Sequence, residues 1–167
     1  MSIDRNLTIV IVPVNRISRL AAHALTEAKS MGQEVIAVTV VLQSGDEATR
    51  DVDTLQYQWR KWDPGVTLHV LHNQYSSVVQ PIVEFIDEVK EQHPDDQIVV
   101  LIPVIRPDTL RHRLLHNQID LVLSNALRKR DDIVVARVTT PLVAPKEDGD
   151  TDAASPGDGV SATRSDA

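Results

Sequence analysis

The chain has no cysteine, few aromatic residues and no long apolar run, and each absence argues against a class of protein. Without cysteine it has no disulfide, thiolate nucleophile or cysteine-ligated zinc. Aromatic residues are only 3% of the chain, so the core must be aliphatic, and a ring-stacking platform for single-stranded nucleic acid is not predicted. The longest apolar run is far shorter than the roughly 20 residues that span a bilayer.

An excess of basic residues is also missing. The formal net charge is −7, which argues against a broad electrostatic surface for DNA or RNA. Asp4 and Arg5 interrupt any secretory signal after Met1. We therefore expect a soluble chain that does not bind nucleic acid, although it could be the soluble portion of a membrane-bound protein.

Glycine-rich enzyme motifs are absent as well. The chain has no phosphate-binding P-loop, no Gly-x-Gly-x-x-Gly after the first strand, no Gly-x-Ser-x-Gly and no His-Glu-x-x-His. The folded part contains only Gly32, Gly45 and Gly65, and none of them follows strand one or strand four. A catalytic function is not predicted, and any bound phosphate would have to meet side chains and a helix N-terminus.

What the sequence does contain is a β-α repeat, complete five times within 167 residues. Strands that are apolar on both faces alternate with helices of 3.6-residue periodicity, which is typical of a parallel sheet covered on both sides. We predict an open, five-stranded parallel α/β sheet of order 3-2-1-4-5 with helices on both faces. The predicted strands are 7–14, 35–42, 66–71, 97–104 and 133–138, with helix one at about 18–31 and helix four at about 108–130.

The last part of the chain differs in composition. From residue 145 to 167 it is rich in Asp, Gly, Ser, Ala and Pro, carries six acidic and two basic residues, and lacks apolar periodicity. We predict one α/β domain over residues 1–144 and a disordered acidic tail over 145–167.

Polar and cationic residues follow strands one and four. Asn15, Arg16 and Arg19 come after strand one, while Arg106 ends the strand-four segment and Arg111 follows it. Because strands one and four are neighbours in the predicted order, both groups flank one crevice at the carboxyl edge of the sheet. Arginine suits bidentate contact with phosphate, so an anion or nucleotide site competes with a merely solvated basic surface. Asn15 is expected to be the N-cap of helix one, with contact to a base as a second role.

Histidines give a weaker signal. His112 and His116 are four residues apart on the predicted helix four, a spacing that can hold a metal, but no carboxylate lies on the same turn. His69 and His72 lie near the end of strand three on opposite faces. No metal site is predicted from either pair.

Several segments resemble a known family. Residues 12–25, 62–66, 75–81 and 114–118 are similar to the cytoplasmic C-terminal domain of bacterial APC-superfamily permeases, which include amino-acid permeases and potassium importers. The resemblance covers roughly residues 5–142. That domain in turn resembles the universal stress protein fold.

The resemblance implies a non-catalytic regulatory domain, attached to a membrane transport domain in the same or a partner chain and lying in the cytoplasm. In potassium importers of this kind, paired domains bind cyclic di-AMP, which inhibits transport. It also implies a homodimer that pairs through the fifth strand, as in universal stress proteins, and no resident cofactor. Together with Arg106 from the residue analysis, the predicted ligand-binding residues are Val14, Asn15, Arg16, Ile17, Arg106, His116 and Asn117.

Two alternatives remain open. The chain could be a stand-alone universal stress protein-like module that binds an adenine nucleotide, or a structural dimerisation domain without a ligand. ATP itself is not expected, because residues 105–112 lack the glycine-rich motif with which universal stress proteins often bind it.

Overall fold

Strands and helices alternate along the whole of the described chain. The computed structural model describes residues 7–42, 46–73, 77–106 and 118–141. The elements in chain order are β1 (Thr8–Pro13), α1 (Arg19–Met31), β2 (Glu34–Leu42), α2 (Asp46–Trp62), β3 (Thr67–Asn73), α3 (Val79–Gln92), β4 (Gln97–Arg106), α4 (Gln118–Leu127) and β5 (Ile133–Pro141).

The five strands form one all-parallel sheet in the order β3-β2-β1-β4-β5, so the predicted fold class and strand order are confirmed. The central strands are buried on both faces, because helices cover each side of the sheet. On one face α1 and α2 pack through Ala24, Leu25 and Trp59. On the other, α3 and α4 pack through Ile86 and Leu123.

The N-cap of helix α1 lies three residues later than expected. Ser18 is the N-cap: its backbone is extended and its Oγ accepts a hydrogen bond from the backbone N–H of Ala21 at 3.1 Å. The expectation that Asn15 caps this helix is therefore wrong. The physical reason is that the chain stays attached to the sheet beyond β1, where Val14 N–H donates to the carbonyl of Val38 at 2.8 Å, and so turns back later.

The end of α1 depends on a close approach of backbone to backbone. Gly32 follows the helix with an extended backbone, φ −139°, which any residue could adopt. A Cβ on Gly32 would lie 2.6 Å from the carbonyl oxygen of Thr8 and 2.6 Å from Val10 Cγ2. Glycine is thus needed here for space, which lets α1 pass directly over the start of β1.

The α2–β3 connection is fixed by a buried hydrogen bond. Trp59 Nε1 donates to the carbonyl of Val66 at 2.8 Å, and the Trp59 ring meets Trp62 edge-on at 5.3 Å. Gly65 adopts φ +68°, a conformation that favours glycine. The connection lies at the amino edge of the sheet. Its α2 end is fixed by the packing and hydrogen bond of Trp59, and its β3 end by the backbone conformation of Gly65.

Most strand boundaries lie within two residues of expectation, and two element ends differ by about three. Helix α4 ends at Leu127 instead of about 130, because the chain turns there and Arg130 N–H donates to the carbonyl of Leu127. Strand β5 extends to Pro141 because its pairing with β4 continues that far. The predicted start of helix four near residue 108, the boundary at residue 144 and the tail over 145–167 lie outside the described residues.

Candidate functional site

The two central strands separate before they end, and this separation forms the candidate site. Pairing between β1 and β4 runs from Thr8↔Gln97 to Ile11↔Val100 and stops there. Strand β1 stays paired with β2 as far as Pro13↔Val38, and β4 stays paired with β5 as far as Arg106↔Pro141. A crevice between β1 and β4 therefore opens toward the carboxyl edge of the sheet, at the point where the strand order reverses.

Prolines lie on both sides of this crevice. Pro13 is the last residue of β1, and Pro103 lies within β4 beyond its last pair with β1. Neither has a backbone N–H, so neither can donate a hydrogen bond that would extend the β1–β4 ladder. A proline in each of two neighbouring buried strands is visible in the sequence, but the expectations above did not use it to predict the crevice.

We call the segment that directly follows β1 the first wall of the crevice, and contact of its predicted residues with a ligand stays a prediction. Val14 is buried, Ile17 is half-buried against the α1 core, and Asn15 and Arg16 are exposed. The polar pair is thus presented to solvent on a backbone that is anchored by the bond from Val14 to Val38. The segment offers an amide, a guanidinium and an apolar contact within four consecutive residues.

The N-terminus of α1 adds to the positive character of this wall. No acidic residue lies in its first turn, and Arg19, its first residue, is exposed. Ser18 satisfies one of the free N–H groups, and the helix dipole places partial positive charge at this end. The arrangement can accept a phosphate without the glycine-rich loop that the sequence lacks.

The opposite wall is described only in part. Strand β4 continues six residues beyond Val100 to Arg106, whereas β1 continues only two residues beyond Ile11 to Pro13. The strands are thus neighbours as predicted, and the approach of Arg106 to the residues after β1 stays a prediction. The side chain of Arg106 is not described, and His116 and Asn117 lie outside the described residues, as do Arg111 and His112. The contribution of these side chains to the site stays a prediction.

The described residues also lack two kinds of feature, a cluster of metal ligands and a membrane-spanning helix. Over residues 7–42, 46–73, 77–106 and 118–141, no group of three or more His, Asp or Glu side chains could hold a metal ion. In the same part of the chain, no helix combines the length and apolar character needed to cross a membrane.

Comparisons with known proteins identify the family. The family model for the KimA potassium transporter C-terminal domain matches residues 4–140. Potassium transporter KimA of Bacillus subtilis (strain 168) is 32% identical over 131 residues, which are 77% of this chain and 21% of that protein. The chain thus spans about a fifth of the length of this curated relative.

A solved universal stress protein family member from Burkholderia pseudomallei is 14% identical, with a TM-score of 0.45, and the match covers 78% of this chain and 94% of that one. Of the two kinds of permease in the predicted family, the sequence comparisons match the potassium transporters. The chain belongs to the family of KimA potassium transporter C-terminal domains.

Proposed function

We propose that this chain is the cytoplasmic, non-catalytic regulatory domain of a KimA-like potassium transporter, and that it binds cyclic di-AMP in the crevice between β1 and β4. The observation that carries the proposal is the early end of the β1–β4 ladder at Ile11↔Val100. It leaves an open site at the carboxyl edge, where parallel α/β sheets usually bind their ligands.

The chemistry of the described wall suits this ligand. Cyclic di-AMP carries two phosphates and two adenine bases. The guanidinium of Arg16 and the N-terminus of α1 would meet a phosphate. The side-chain amide of Asn15 would pair with a base edge, while the half-buried Ile17 offers an apolar contact to a base face. Val14, whose side chain is buried, would hold this segment in place through its bond to Val38.

The remaining contacts are assigned to the other wall. Arg106 would approach the second phosphate, and His116 and Asn117 would complete the base contacts, as the family resemblance implies. A catalytic role is not proposed, because the sequence contains no P-loop, no Gly-x-Gly-x-x-Gly after the first strand, no Gly-x-Ser-x-Gly and no His-Glu-x-x-His.

Calorimetric titration of the chain with cyclic di-AMP, and separately with ATP, tests the proposal. We expect heat with cyclic di-AMP and a loss of affinity of about tenfold or more in Arg16→Ala, because a hydrogen bond to a charged group contributes about 1.5–3 kcal/mol. Arg60→Ala is the matched control: it removes the same charge from the exposed last turn of α2, at the opposite edge of the sheet.

Three outcomes would contradict the proposal. The absence of heat with either nucleotide would favour the purely structural role. Heat with ATP alone would favour the stand-alone adenine-nucleotide module. Equal affinities in Arg16→Ala and the wild type would place the ligand elsewhere.

We also propose that two copies pair through β5. This strand forms an edge of the sheet, and Val134 on it is 48% exposed, so pairing would cover both an unpaired strand edge and apolar surface. Light scattering of the purified chain should give the mass of a dimer, and Val134→Lys should shift it to the monomer. Leu7→Lys, at a similarly exposed apolar position on another part of the surface, should leave the dimer intact. A monomeric wild type would refute the pairing.

A further inference from the structure

A second groove lies at the opposite edge of the molecule, between α3 and the strands β2 and β3. It has a volume of about 410 Å³. It reaches from Glu34, the first residue of β2, to His93, which follows the last turn of α3. Both residues mark the amino edge of the sheet, whereas the crevice between β1 and β4 opens at the carboxyl edge. The groove is therefore separate from the proposed nucleotide site.

The inner surface of this groove is apolar. Ile36 and Val89 are buried, and Leu71 and Phe85 are half-buried beside them. The ring of Phe85 lies 5.3 Å from that of His69 at a tilt of 46°. An aliphatic chain inserted here would meet carbon atoms from two strands and a helix.

The exposed lining is acidic and has no counter-charge. Glu34 and Glu88 both line the groove and are exposed, and neither carboxylate forms a hydrogen bond or ion pair with any described residue. Among the described residues that line the groove there is no lysine or arginine. His93, which also lines the groove, is instead paired with Asp96, whose Oδ2 lies 3.2 Å from Nδ1 of His93.

The size and the donor arrangement argue for an organic cation over a metal ion. The described His, Asp and Glu side chains do not converge in a group that could hold a metal. A groove of about 410 Å³ is within the range of organic-ligand sites, which measure about 300–1,000 Å³. Two unpaired carboxylates above an apolar surface complement a molecule with a cationic head and an aliphatic body.

We propose that this groove binds a guanidinium group carried on an aliphatic chain, either as a free small molecule or as the arginine side chain of a peptide. The methylene groups pack on Ile36, Leu71 and Val89. The cation pairs with Glu34 and Glu88, and Phe85 presents a ring with which it forms a cation–π contact.

Heteronuclear NMR of the isotope-labelled chain tests this proposal with three compounds. Agmatine represents the free cation, N-acetyl-arginine N-methylamide represents a peptide side chain, and N-acetyl-citrulline N-methylamide is a neutral analogue of the same shape. We expect the two cations to shift the resonances of Leu71, Phe85 and Val89, with an affinity at least fivefold higher than that of the citrulline compound. Tighter binding of agmatine would indicate a free small molecule as the ligand, and tighter binding of the arginine compound would indicate a peptide side chain.

A pair of variants ties the binding to the two carboxylates. Glu34→Gln combined with Glu88→Gln should weaken binding of the preferred cation at least fivefold. Glu91→Gln removes one charge from the same helix at an exposed position outside the groove and should leave the affinity unchanged. The backbone spectrum of each variant shows whether the fold is kept.

The proposal is overturned by any of three results: no shifts at the groove with either cation, equal binding of the citrulline compound, or undiminished binding in the folded double variant. None of these results bears on the crevice between β1 and β4, where Arg16→Ala is the decisive variant.

Discussion

Replacing Gly32 with alanine should destabilise the protein, although the same change in an extended loop is usually harmless or stabilising. The new Cβ would lie 2.6 Å from the Thr8 carbonyl oxygen and 2.6 Å from Val10 Cγ2. The first is a backbone atom that accepts a hydrogen bond from the Gln33 N–H at 3.1 Å, so it cannot move without weakening that bond. Relief must come from a shift of α1 against β1.

The magnitude follows from three contributions. Overpacking costs about 1–3 kcal/mol. The strained hydrogen bond adds about 1 kcal/mol, and the reduced freedom of the unfolded chain offsets about 0.4–1 kcal/mol. We expect the free energy of unfolding to fall by about 2 kcal/mol, and the melting temperature to fall by about 4–8 °C for a domain of this size.

Urea unfolding followed by circular dichroism measures this loss, and Gly65 provides the contrast. Gly65 has φ +68°, and among the described residues a Cβ added there would meet only Lys29 Nζ, at an ordinary contact distance of 3.4 Å, so alanine there costs about 1–2 kcal/mol through backbone strain alone. Asparagine tolerates that conformation better and should recover part of the loss at residue 65, while at residue 32 it should be worse than alanine. A Gly32→Ala variant as stable as the wild type would refute the close-approach argument.

Two further changes test contacts described above. Trp59→Phe should lower the free energy of unfolding by about 1–3 kcal/mol, because it leaves the carbonyl of Val66 without its buried donor; a change below about 0.5 kcal/mol in the same urea assay would contradict the role of that bond. Ser18→Ala should cost about 1 kcal/mol through loss of the α1 cap, while Asn15→Ala should stay within about 0.5 kcal/mol. The reverse order in thermal melts would restore Asn15 as the cap.

The fold could be predicted because its signal is local. Residues 9–12 of β1 are apolar without alternation, and such a run is expected only where helices cover both faces of a strand. The position of the α1 cap could not be predicted in the same way. It depends on how long Val14 remains bonded to Val38, a contact between segments that are distant in the sequence.

The sequence was enough to predict at which edge of the sheet the candidate site lies, but not where the crevice between β1 and β4 begins. Polar residues after two buried strands indicate the carboxyl edge, and the strand order makes these two strands neighbours in the sheet. The point at which β1 and β4 separate depends on which pairs of strands continue, and only Pro13 and Pro103 hint at it in the sequence. The groove at the amino edge gave no signal, because its lining comes from three segments separated by many residues.

The early end of the β1–β4 ladder leaves the sheet in two parts, β3-β2-β1 and β4-β5, that are joined only near their amino ends. Three strands on one side and two on the other are joined by four register pairs, all near the amino edge, where Gln97 N–H also donates to the carbonyl of Leu7 at 2.9 Å. Helix α1 contacts strands of both parts. Because these pairs all lie near the amino edge, a rotation of one part against the other would displace the carboxyl ends more than the amino ends. A molecule bound between β1 and β4 at the carboxyl edge would act directly on that displacement, against the packing of α1 on both parts.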